Sequence, residues 1–261
     1  MKAVKTYIIL FIFALFGFSM QSDLNPQIIV KKHDFFTVDN LGNVFLVRDH
    51  EIFKYLANGN YYNRFSNLKF GEITSVDGTN GLRLVLFYKD FQQIVFLDNQ
   101  LSQKSEPVSL EQMGYEQTEL VCVSANNGIW IFNKANNELI RFDENLKKIA
   151  STGNLKQILQ RDLKPNFMTE HNGYLYLNSP SDGIFVFDIF GTFSKVISVK
   201  DLKLFQVNED IIYFYKDGIF CSYDHKLFDQ VCKTFSASNV KQSFFNKTKV
   251  YLSNKDTLFA Y

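Results

Sequence analysis

Proline is scarce in this chain, at four residues of 261, and glycine stands at only 13. That composition excludes a disordered or collagen-like segment, and no low-complexity stretch interrupts it. Charge of one sign is not in excess either. The formal net charge is +1, and no basic run is longer than Lys31–Lys32 or Lys147–Lys148. A global field that recruits nucleic acid or an anionic membrane is therefore absent. Motifs of catalysis are missing as well: no G-x-S-x-G elbow, no H-E-x-x-H, no glycine-rich phosphate loop and no C-x-x-C. The four histidines, His33, His50, His171 and His225, stand apart in sequence. His50 and His225 fall at turns and read as solvated; His171, beside Glu170 at a strand end, is a weak site candidate.

What is present in quantity is aromatic. Phe occurs 28 times and Tyr 13 times, ample for a sizeable core. The longest purely apolar stretch lies at the start. Lys2 and Lys5 precede an apolar run from Tyr7 to Phe18, followed by Ser-Met-Gln-Ser-Asp. This order describes a secretory signal peptide over residues 1–21, with an uncleaved anchor as the alternative. The run falls short of the about 18 apolar residues that a membrane-spanning helix needs. Cleavage leaves residues 22–261 as one exported domain, periplasmic or extracellular, carrying a formal charge of −1 and no membrane segment.

Within that domain, Ile184-Phe185-Val186-Phe187 runs without a polar residue and closes on Asp188. Similar runs close on Asp98, Asp143 and Asp224, at intervals of 45, 45 and 36 residues. The same frame extended upstream reaches Ala57, and downstream it reaches the end of the sequence. Six copies result, each with a first strand, a turn rich in Gly, Asn or Asp, two further strands and a more polar fourth. A period near 40 residues with strands throughout predicts propeller blades. Continuous apolar strands joined by hairpins must be covered on both faces, which blades stacked around a ring achieve. A β-sandwich explains the strands but not the period.

The predicted fold is therefore all-β, a six-bladed β-propeller of four-stranded antiparallel blades. The sixth copy lacks a fourth strand, and Gln27–Lys31 supplies one, so the N-terminal strand closes the ring in the C-terminal blade. The recurring aspartates read as turn starters.

Blades whose third strand has the form IFVFD-x-x-G resemble the NHL-type six-bladed propellers, especially exported bacterial ones. The strict glycine-led strand openings of that repeat are mostly missing here. The resemblance implies the fold and allows scaffolds, lactonases and other hydrolases, and ring-opening lyases. In the metal-dependent lactonases of this kind, Glu, Asn and Asp hold calcium near the axis. Glu72, Glu119 and Asn166 stand just before first strands and are the corresponding candidates here, without a spacing signature. Calcium takes about six to eight oxygen ligands.

The connections from each fourth strand to the next first strand share a polar-aliphatic-polar triplet: Asn67-Leu68-Lys69, Ser109-Leu110-Glu111, Asn154-Leu155-Lys156, Asp201-Leu202-Lys203 and Asn239-Val240-Lys241. They read as turns with one buried aliphatic, or as a polar ring at the channel mouth. Residues 154–164 have apolar spacing for a short amphipathic helix. Tyr115, Gln157 and Arg161 on the two longest connections are the candidate contacts for a protein or small-molecule ligand. Trp130 reads as core and Cys122 as a buried small residue. Cys221 and Cys232 face each other across the hairpin turn of the fifth copy and are the disulfide candidates, a bond that contributes about 2–3 kcal/mol. Asn246-Lys247-Thr248 is a glycosylation sequon. The expectation is a monomeric, non-catalytic binding scaffold without cofactor, with a calcium-dependent hydrolase or lyase as the alternative.

Overall fold

The computed structural model describes residues 27–246 and 249–261. The expected signal peptide, residues 1–21, and the last two residues of the sequon lie outside them. The chain is a ring of six four-stranded antiparallel sheets. The strand β1 (Gln27–Val30) comes first and belongs to the last blade. Blade 1 follows as β2 (Phe35–Val38), β3 (Val44–Arg48), β4 (Glu51–Tyr55) and β5 (Tyr61–Ser66). Blade 2 holds β6 (Ser75–Asp77), β7 (Leu84–Tyr88), β8 (Gln93–Leu97) and a short β9 (Val108–Ser109). Blade 3 is β10 (Thr118–Val123), β11 (Ile129–Asn133), β12 (Glu138–Phe142) and β13 (Lys148–Ser151). Blade 4 is β14 (Phe167–His171), β15 (Tyr174–Ser179), β16 (Gly183–Asp188) and β17 (Phe193–Ile197). Blade 5 is β18 (Gln206–Asn208), β19 (Ile211–Lys216), β20 (Ile219–Asp224) and β21 (Asp229–Lys233). Blade 6 combines β22 (Gln242–Asn246), β23 (Lys249–Ser253) and β24 (Thr257–Ala260) with β1.

Ring closure is non-covalent. β1 pairs antiparallel with β24, Gln27 opposite Ala260 and Val30 opposite Thr257. The middle and outermost strands differ as two-sided cover requires. β7 and β11 are buried at every residue, and β16 at all but its last. By contrast β21 is exposed along its whole length and β5 almost so. Each large apolar side chain buried in these middle strands contributes about 1.5–3 kcal/mol. The clusters form between blades: Trp130, Leu155 and Phe185 meet between blades 3 and 4, and Phe45, Leu86 and Leu97 between blades 1 and 2.

The aspartates closing the third strands start turns. Asp188 Oδ1 accepts the amides of Phe190 and Thr192, both at 2.9 Å. Asp98 and Asp143 do the same with the residues two and four ahead, and Asp224 with Lys226 and Leu227. These Leu227 and Lys226 amides hold the Asp224 carboxyl below its ordinary value. Gly191 completes the blade 4 turn at φ +85°, with its Cα turned toward the backbone of Ser151, where a Cβ would meet Ser151 C at 2.9 Å. Only glycine satisfies both demands.

Three expectations need correcting. In blade 1 the equivalent turn residue is Leu56, one before Ala57: its N–H donates to Asn60 O and its carbonyl accepts Gly59 N, the pattern seen at Asp98. Asn58 supplies the side-chain acceptor there instead, taking the Asn60 amide at 3.0 Å. Second, the helix expected over 154–164 is only α1 (Leu155–Leu159). Asn154 caps it by accepting the Gln157 amide, and Gln160 ends it in the left-handed region at φ 52°. Leu163 still reaches the core, but through an irregular segment.

Third, His225 is buried rather than solvated. Its Nδ1 lies 3.0 Å from Lys195 Nζ. An ammonium has only protons to offer, so Nδ1 accepts and the ring is neutral. Burial, then the Lys195 charge, lowers its pKa, while Asp210 and Asp224 oppose the shift. Burial lowers the pKa of His171 too. Both rings take up a proton more readily unfolded than folded, so stability falls as pH drops below the unfolded value of about 6.5. Urea unfolding between pH 7 and pH 5 is expected to show this slope, flattened in His225→Gln. The depressed carboxylates, Asp224 among them, add their loss only nearer pH 4. An unchanged slope in the variant would remove His225 from this account.

Candidate functional site at the channel mouth

In each blade, the second-to-third turns and the connections to the next blade lie at one end of the strands. Backbone bonds tie them together: Ile73 N donates to Asp49 O, Leu110 N to Gln92 O, Leu155 N to Asn137 O and Asp201 N to Pro180 O. This end of the ring is the channel-mouth face, and it carries the sequence-predicted binding residues.

The structure does not bring those residues together. Tyr115 lies half-buried between blades 2 and 3, its ring 5.3 Å from Phe142 in an edge-on contact. It packs. Gln157 is exposed on α1, its side chain making no hydrogen bond among the described residues, while its backbone carbonyl accepts Gln160 Nε2 at 2.7 Å. Arg161, also exposed, lies 3.7 Å from Asp182 at the second-to-third turn of blade 4. Between them Ile158 is half-exposed, ringed by Lys156, Gln157 and Arg161.

Three of the repeated connection aliphatics are buried as expected: Leu110, Leu155 and Leu202. Leu68 is not, and is 75% exposed. A 3-10 turn over Leu68–Phe70, capped by Asn67, changes which residue points inward. Phe70 takes the anchoring role, its ring 5.6 Å from Tyr88, and Leu68 turns outward. On the adjacent blade Phe91 is also exposed, its ring edge passing over Gly71. The exposed apolar side chains at this face, among the described residues, include Leu68, Phe91 and Ile158. The triplet pattern alone placed Leu68 inside; the aromatic two residues later was the available signal.

The three candidate calcium ligands are likewise dispersed over blades 2, 3 and 4. Glu72 is exposed. Glu119 pairs with Lys89 and with Lys134, the latter at 3.3 Å, and the Lys89 hydrogen bond leads in lowering its pKa. Asn166 donates to Leu202 O and Lys203 O, and its Oδ1 accepts from Asn178 Nδ2 at 2.6 Å. Among the described residues no three His, Cys, Asp or Glu side chains cluster as a metal would need.

Polar side chains near the axis join neighbouring blades. Gln242 Nε2 donates to Phe36 O while its Oε1 accepts Phe36 N, and Gln92 brackets Thr118 in the same way. Asp77 accepts Val123 N at 2.9 Å. His171 Nε2 accepts Glu209 N at 3.1 Å. The densest junction is at Glu170, whose carboxylate accepts Ser124 Oγ, Ala125 N and Trp130 Nε1 across the seam. Trp130 is fully buried, so it is core with a polar handle. Cys122 beside it is buried and free, its thiol pushed well up by burial. At the far side of the ring, Cys221 and Cys232 stand opposite each other on β20 and β21 with sulfurs bonded.

Neither a family model nor a curated protein matches this sequence. Solved structures do match it in shape. A streptogramin B lyase structure superposes with a TM-score of 0.58 at 14% identity, covering 86% of this chain and 77% of the other. The WD40 domain of Neurospora crassa Pan2 gives a TM-score of 0.63 at 9% identity, covering 88% of each chain. BBS1N, solved in complex with ARL6DN, gives 0.57 at 12% identity over 86% of this chain and 76% of that one. At these identities the likeness shows the propeller fold.

Proposed function

We propose that this propeller is an exported, NHL-like, non-catalytic scaffold that binds a partner protein through its channel-mouth face. The observation that carries the reading is Leu68, turned out to solvent where three of its counterparts in the repeat are buried. With Phe91 on the neighbouring turn, and Ile158 beside the polar Lys156, Gln157 and Arg161 further round the ring, it offers exposed apolar anchors on one face, of the kind an interface centre uses. The polar groups nearer the axis hold blades to one another, which supports a rigid platform. A similar propeller solved in complex with a protein supports the same reading. The N-terminal basic and apolar order supports export.

The test is crosslinked capture with tagged protein from the exported fraction, followed by mass spectrometry. Wild type is expected to retain one stoichiometric partner. Leu68→Arg and Ile158→Arg, both at exposed positions and expected to leave Tm unchanged, are expected to lose it. Retention of the same partner by both variants would move the interface elsewhere.

A further inference from the structure

Five of the six seams between blades are filled by buried apolar clusters. Among the described residues, the seam between blades 5 and 6 holds none. The strands that face it show the difference. Along β19, Ile212 and Phe214 are buried toward blade 4, while Tyr213 and Tyr215 on the other face stay half-exposed. The space between the blades is a half-open cavity of about 250 Å³, open to solvent along the outer strand. Liquid water occupies about 30 Å³ per molecule, so the volume matches about eight waters, or a ligand of one or two rings.

Its walls are largely aromatic. Tyr213 stacks on Phe245 at 3.9 Å between centroids and 19° between planes. Phe220 meets Phe235 edge-on at 6.1 Å, and Phe235 lies 4.9 Å from Tyr261. One charged side chain faces this lining. Lys233 Nζ lies 5.4 Å from the Phe235 ring centre and forms no ion pair among the described residues. Lys233 belongs to β21, the wholly exposed outer strand, which the Cys221–Cys232 bond pins to β20 beside the cavity. Hydroxyls complete the rim: Tyr261 OH is 3.2 Å from Ser236 Oγ, and Ser222 also lines the cavity.

We propose that this seam is a binding site for a small planar aromatic carboxylate, its ring laid against the wall formed by Tyr213, Phe220 and Phe235 and its carboxylate on Lys233. The ring faces supply stacking, which is strongest for a flat π-system. The unpaired ammonium selects the charge: a cation is repelled, and a neutral ring leaves the lysine unmatched. The volume admits two fused rings. This site is separate from the channel-mouth face and does not depend on the scaffold reading.

The probe is 2-naphthoate, with 2-naphthamide as the neutral analogue of the same shape, each titrated into purified protein by calorimetry and protein-observed NMR. Saturable binding of one naphthoate per chain is expected, with shifts confined to blades 5 and 6. Phe235→Ala is expected to weaken it about tenfold, as loss of an aromatic stacking wall does. Lys233→Gln, a change at an exposed position, is expected to weaken naphthoate at least about threefold and leave naphthamide unaffected. Equal naphthoate affinity in wild type and Lys233→Gln would overturn the charge assignment. Absence of saturation up to the solubility limit, or shifts outside the seam, would overturn the site itself.

Discussion

Glu170→Ala is expected to destabilise the ring by about 3–5 kcal/mol, the range for removing one partner of a buried charge pair. The carboxylate sits on β14 and reaches back into blade 3. Its Oε2 accepts Ser124 Oγ at 2.5 Å and Trp130 Nε1 at 2.6 Å, and its Oε1 accepts Ala125 N at 2.9 Å. Arg141 Nε lies 4.0 Å from Oε2, donates to Ser124 Oγ at 2.7 Å and sends Nη1 to Ile189 O. The two charged side chains are 8% and 6% exposed. Alanine leaves the buried guanidinium without its counter-charge, and the Ser124 hydroxyl, the indole N–H and the Ala125 N–H without their acceptor. Glu170→Gln keeps an acceptor oxygen but loses the charge, so an intermediate loss is expected. Replacing both ions with apolar residues, Glu170→Leu with Arg141→Met, is expected to recover most of the stability, because neither charge is then buried alone. Equilibrium urea unfolding of the single and double variants measures this. A loss below about 1 kcal/mol for Glu170→Ala would mean that water reaches the carboxylate's partners.

The contrast between what the sequence reveals and what it hides follows from distance along the chain. Strand order, the turn-starting aspartates and the shared last blade are local or periodic, so Asp98, Asp143, Asp188 and Asp224 announce them. The Glu170 junction joins residues 40 to 46 positions apart, about one repeat length, and so does the Asp77 bond to Val123 N. A polar residue at the end of one first strand therefore meets its counterpart one period away. That spacing was available as a signal, but only once the blades were in register. His225 was misjudged for a related reason. A turn residue in one blade is covered by the neighbouring blade, here through Lys195, and turn position alone says nothing of that neighbour. Leu68 shows the opposite failure. A repeated triplet predicts the same environment in every copy, whereas Phe70 in this copy competes for the same hole and wins by size. Tyr115, Gln157 and Arg161 were chosen by loop length, which places residues on a face but not beside one another.

Ile29→Asp is expected to be about as damaging as the loss of Glu170, at about 3–5 kcal/mol, while Val30→Asp on the same strand is expected to change stability by under about 0.5 kcal/mol. The two positions differ only in face. Ile29 is 7% exposed, opposite Leu258, and packs with Phe36, Phe53 and Tyr251 where blade 6 meets blade 1. Val30 is 77% exposed. A carboxylate at position 29 removes apolar contact and buries a polar group with no donor in that cluster, so β1 detaches. The consequence is larger than a lost side chain. With β1 gone, β24 becomes an unpaired edge strand, and the Lys31 amide bond to Asp256 O and the His33 amide bond to Lys255 O go with it. Such an edge pairs readily with another chain. Ile29→Asp is therefore expected to self-associate with rising concentration, seen by sedimentation velocity, in addition to unfolding at lower urea. A destabilised but strictly monomeric variant would show that the ring stays shut without β1, and that the seam to blade 1, rather than strand pairing, carries the closure.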